Sequence, residues 1–144
     1  MTDFEHFKLD FIKWMYTQLE PAKIGNHPVC PYAQFARRKD KIGFIDSRSG
    51  VIATDLGNKE IVIHWIGDDV DVSKYVSLVE NLNKDNPLLL YLLSTTLSGR
   101  FVKNFTNCIF VQNRLDIERK RTYLKTTDYY NNWPVDYLKS IIES

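Results

Sequence analysis

The chain lacks any stretch able to cross a bilayer: its longest apolar run, PLLLYLL at 87–93, is far shorter than the roughly 20 residues a spanning helix needs. Cysteine is scarce, with only Cys30 and Cys108 in 144 residues. The opening MTDFEHFKLDF scatters acids and bases where a secretory leader would carry an apolar core. A cytoplasmic setting with reduced thiols is therefore expected, the host cytoplasm if the chain is viral. There is no excess of one charge sign: the net charge is +1, so no global field draws the chain to nucleic acid or a membrane surface. Phosphate-binding glycine loops, a GxSxG elbow and zinc or calcium ligand spacings are all missing. No cofactor and no metal is expected on that ground.

What is present is enough apolar material for one real core. Hydrophobic residues make up 44% and aromatics 13% of the chain. A chain of this size buries roughly two-thirds of its unfolded surface without needing staples. Without repeats or an interior linker, residues 1–144 read as a single domain. Asn, Tyr, Lys and Ile are plentiful while Ala is scarce, a bias of AT-rich genomes that fits a viral source.

Thr2 and Glu5 form a capping box, and Phe4, Phe7, Phe11, Trp14, Met15 and Leu19 follow at helical spacing until Pro21. Pro31 is expected to open a short helix through Arg38. Ile42–Asp46 reads as a strand, with 51–54 as its hairpin partner beyond the turn SRSG, and EIVIHWIG at 60–67 as the clearest strand. Asp71 caps a helix to about Asn83, with Val72, Tyr75, Val76, Val79 and Leu82 inward. Asn86–Pro87 is expected to open a buried helix through Leu93, before a break at Gly99. Residues 107–113 read as a strand, 115–124 as a further strand, and Trp133–Pro134 as the start of a last helix carrying Val135, Leu138, Ile141 and Ile142 inward. The expected class is α+β: one mainly antiparallel sheet with helices on one face, in a ferredoxin-like arrangement.

NHPVCPYAQFARR at 26–38 is the densest stretch chemically. With Pro31 as first helical residue, Cys30 stands at the N-cap, where free amides and the helix dipole favour a thiolate. His27, three residues upstream, is the candidate base. The residues show no third group to orient it and no resolving cysteine. Arg37 and Arg38 are candidates for holding an anion, Trp14 and Tyr32 for walling a ligand pocket. The competing reading makes Cys30 a small packing residue at the helix entry. Cys108, in a strand, reads as core, and His64 as a satisfied sheet histidine.

Trp14, the loop His27–Pro28–Val29–Cys30–Pro31–Tyr32–Ala33, the strand IGFID and the segment Asn131–Asn132–Trp133–Pro134 together resemble a bacterial domain family of unknown function. That family carries an early helical Trp, an Asn-x-Cys-Pro-Phe-Ala loop before a strand, and an Asn-x-x-Pro segment opening its last helix. Tyr32 stands where that family has Phe. The resemblance implies a fold and a candidate surface at the cysteine loop, and no reaction.

Two functions follow from the residues. One is a non-enzymatic interaction or accessory protein that meets a protein partner or a second copy through an exposed aromatic set, Tyr129, Tyr130, Trp133 and Tyr137. The other is a thiol-dependent enzyme or small-ligand binder at the Cys30 loop. The interaction reading is placed first. Basic runs at 36–41 and 114–125 are interrupted by acids, so nucleic acid is disfavoured as a partner.

Overall fold

The computed structural model describes residues 1–95 and 105–136. The expected break at Gly99, and the last-helix residues from Tyr137 onward, lie outside them. Helix α1 (Asp3–Trp14) starts as its capping box dictates: Thr2 Oγ1 accepts the Glu5 amide at 3.1 Å, and Glu5 returns a carboxylate to the Thr2 amide at 2.9 Å. A π-helical turn over Met15–Leu19 carries the chain to Pro21. A small hairpin, β1 (Lys23–Ile24) and β2 (His27–Pro28), turns at Gly25. Its φ of +62° suits glycine, and a Cβ there would run into the Asn132 side chain. Then follow α2 (Ala33–Arg38), β3 (Ile42–Asp46), β4 (Ile61–Trp65), α3 (Val72–Asp85), β5 (Leu89–Ser94), β6 (Cys108–Asn113) and α4 (Arg114–Lys125).

The class is α+β. The main sheet has the order β3-β4-β6-β5, with β3 and β4 parallel and the other two pairings antiparallel. β4 and β5 run the same way through α3 with β6 between them, a split β-α-β unit such as a ferredoxin-like sheet also contains. The parallel edge strand β3 departs from the fully antiparallel order of that arrangement. The expected hairpin partner at 51–54 forms no strand. Only Ile52 of that run enters the core, while β3 pairs with β4 across the intervening loop.

Helices cover both faces rather than the one expected. Phe7, Phe11 and Met15 from α1 and its extension, with Ala33 and Ala36 from α2, pack on Ile63, Trp65 and Cys108. Tyr75 and Val79 of α3 pack on Tyr91, Ile109 and Val111 on the other side. The reason lies in β4 and β6: alternate residues on both faces are apolar, and a one-sided cover would leave one set in water. On the α1 side the rings interlock, Phe7 lying 5.4 Å from Trp65 and Phe11 5.0 Å from Phe105. Burying each ring stabilises the fold by roughly 1.5–3 kcal/mol.

Two elements exchange type relative to the sequence reading. Residues 89–94 form a strand because β6 offers them a full antiparallel ladder, and a short apolar run has no period of its own to resist it. Residues 114–125 form a helix because Asn113 caps it through the Asp116 amide at 3.0 Å, and its inner residues Ile117, Lys120, Arg121 and Leu124 follow the helical period. Asp71 caps α3 as expected, whereas Val72 and Val76 face solvent and Leu78 joins Tyr75, Val79 and Leu82 on the inner side. No helix among the described residues is long and apolar enough to cross a membrane.

Candidate functional site

The hairpin β1–β2 delivers Cys30 into a tight turn closed by the Ala33 amide on the Cys30 carbonyl at 3.3 Å. Helix α2 therefore begins at Ala33, and Cys30 lies ahead of it instead of at its N-cap. The Tyr32 and Ala33 amides and the charge of Lys120 favour a thiolate, but burial of the sulfur outweighs them and pushes the thiol pKa up. The expected acidic thiol is thus replaced by a neutral one. Cys108, fully buried in β6, has its pKa pushed up to about 12 by burial.

His27 turns its Nε2 to Asp128 Oδ1 at 2.6 Å. This is the orienting group that the local sequence did not show, 101 residues away. The ring also meets Tyr129 edge-on at 5.7 Å, and the Tyr129 hydroxyl donates to the Val29 carbonyl. Tyr129 is buried, and Tyr130 and Trp133 pack against it at 4.8 and 5.5 Å. Of the aromatic set expected at the surface, Tyr129 therefore closes over the hairpin, and Tyr130 and Trp133 are half-buried against it. Tyr137 lies outside the described residues.

Beside Cys30 opens a cleft of about 450 Å³ on the α1 face of the sheet. Phe11, Trp14, Met15, Ile61, Ile63 and Phe110 form its apolar wall, with Phe105 and Leu92 along one side. Tyr32, Glu60, Ser94, Gln112, Asn113, Asp116 and Lys120 are its polar lining among the described residues. Lys120 Nζ lies 3.7 Å from Glu60 Oε2 and 4.8 Å from the centre of the Tyr32 ring.

Of the residues picked out from sequence, the cleft gathers Cys30, Trp14 and Tyr32. Arg37 points elsewhere: its guanidinium grips Glu20 with two bonds at 2.6 and 2.8 Å and lies 5.7 Å from the Tyr16 ring. Arg38 is exposed on α2. Glu60, Gln112, Asp116 and Lys120 were missed. Asp116 and Lys120 are four apart, a same-face spacing that signals only once 114–125 is read as a helix.

A second polar feature lies inside the sheet. His64 is fully buried, its Nδ1 2.7 Å from Ser47 Oγ and its Nε2 without a partner among the described residues. It is thus only half satisfied, and burial lowers its pKa to about 4. Among the described residues no three His, Cys, Asp or Glu side chains converge as a metal site. Comparison with protein-family models, with curated proteins and with solved structures finds no match to this chain.

Proposed function

We propose that this domain binds a small, largely apolar ligand in the cleft beside Cys30. The observation that carries the reading is the cleft itself: its volume of about 450 Å³ lies within the usual range for small-molecule sites, and an apolar wall meets a few convergent polar groups. Cys30 acts there as a neutral contact in the wall. A nucleophilic role would call for a thiolate at neutral pH, which the raised pKa opposes. The interaction reading rests on an aromatic set of which Tyr129 packs against the hairpin, with Tyr130 and Trp133 half-buried upon it. The resemblance of the cysteine loop to the bacterial family belongs to the same proposal, since Trp14 and Tyr32 of the shared motifs both line the cleft.

The test is a titration with N-phenyl-1-naphthylamine, an uncharged apolar fluorophore, followed by isoleucine and leucine methyl resonances. Saturable shifts at Ile61, Ile63 and Leu92, with Ile109 and Leu82 on the opposite face unmoved, support the reading. Shifts confined to the α3 face, or no saturable binding, overturn it.

A further inference from the structure

We propose that the natural ligand is a hydrophobic amine, its apolar body against Trp14 and Phe110 and its protonated amino group at the cleft mouth beside Asp116. This rests on the cleft reading above and names the head group which that reading leaves open. Among the described residues, three charged side chains line the cleft: Glu60, Asp116 and Lys120. Lys120 is already engaged by Glu60 and by the Tyr32 ring. Asp116, by contrast, has no side-chain partner among the described residues, and only its amide is held, by Asn113. The formal sum of these three described residues is therefore one negative charge, and the unpaired member of the set is a carboxylate.

A carboxylate ligand would have to draw Lys120 from Glu60 while facing Asp116. An ammonium ligand meets a free carboxylate, with the face of Tyr32 in the same lining. Gln112, in the same lining, offers a carbonyl to a further N–H. The positive end of α4 offsets part of the Asp116 charge, and the mouth is open to solvent. Both effects limit the preference to several-fold.

Three probes with one body test this: 2-naphthylethylamine, 2-naphthylethanol and 2-naphthylacetate, titrated by the same methyl resonances near neutral pH. The amine is expected to bind roughly three- to tenfold tighter than the alcohol at low salt, and the carboxylate weaker than both, with the spread shrinking as salt rises. Asp116→Asn, at an exposed position, brings the amine to within about twofold of the alcohol by removing that one charge. Lys120→Met widens the gap by freeing Glu60. Equal affinities for the three probes, a tighter carboxylate, or an amine preference that survives Asp116→Asn overturns the amine inference and leaves the cleft standing. No binding by any probe overturns both.

Discussion

The Asn83 side chain occupies the place of a neighbouring strand beside Tyr91: its Oδ1 accepts the Tyr91 amide at 2.7 Å and its Nδ2 donates to the Tyr91 carbonyl at 2.9 Å. β5 is an edge strand, and α3 thereby closes the middle of that edge against pairing with another chain. Asn83→Ala is expected to cost about 1–3 kcal/mol, because a buried N–H and C=O lose their partners together. Urea unfolding measures the loss. Hydrogen exchange at the Tyr91 amide should accelerate more than at Val111; equal acceleration would show a global effect with no plug.

His64 makes stability depend on pH. Its pKa of about 4 in the folded state lies below the ordinary value of 6.5, so between these values the unfolded chain binds more protons. Stability therefore falls as pH drops from about 6.5 toward 4 and levels off below that, by about 3 kcal/mol in all for this residue. Urea unfolding at several pH values checks this against His64→Gln, in which that part of the slope should vanish. An unchanged slope in the variant assigns the dependence to other groups.

Ser47 holds the one bonded nitrogen of that buried ring. Ser47→Ala should lower stability by about 1–3 kcal/mol. It should also make Nδ1 the second unpaired nitrogen, visible as a change in the imidazole nitrogen shifts of His64. A variant as stable as the parent would mean that the hydroxyl adds nothing to the sheet.

The two thiols should separate on alkylation. Cys30 lines the cleft with a raised pKa, and Cys108 is fully enclosed with a pKa of about 12. Near neutral pH iodoacetamide is expected to modify Cys30 more slowly than a free thiol, and faster as pH rises, while Cys108 reacts only on unfolding. Peptide mass spectrometry gives both rates in one sample. Rapid modification of Cys30 below pH 7 would revive the nucleophile reading.

The clasp between hairpin and C-terminal segment has unequal parts. His27 is half-buried and Asp128 is 72% exposed, so the pair is screened by solvent and His27→Gln should change stability by roughly 0–1 kcal/mol. Tyr129 is 3% exposed and donates to Val29. Tyr129→Phe should cost about 1 kcal/mol or more by leaving that carbonyl short of a donor. Thermal unfolding of the two variants ranks them, and the reverse order would contradict the clasp as described.

Wherever the signal is local, it is legible in the chain. The capping box at Thr2–Glu5, the β-branched runs of β4 and β6 and the Asp71 cap each act within a few residues, and each forms where its pattern says. Cys30, Trp14 and Tyr32 could be picked out because Pro, Cys and aromatic residues crowd one short region and its preceding helix. The charged residues of the cleft could not. Glu60 precedes β4 and Asp116 and Lys120 ride on α4, and nothing local ties them to a loop at residue 30.

By itself, then, the sequence determined the α+β class, the start of α1, three of the four sheet strands and three residues of the cleft lining. These depend on caps, periodicity and β-branching, all short-range. Only the tertiary structure decided that residues 89–94 extend beside β6, that helices lie on both faces, that Asp128 holds His27 and that the Cys30 thiol stays neutral. The physical reason is common to all four. An apolar run takes the form its neighbour can pair with, and a side chain's charge state depends on what the rest of the chain packs around it.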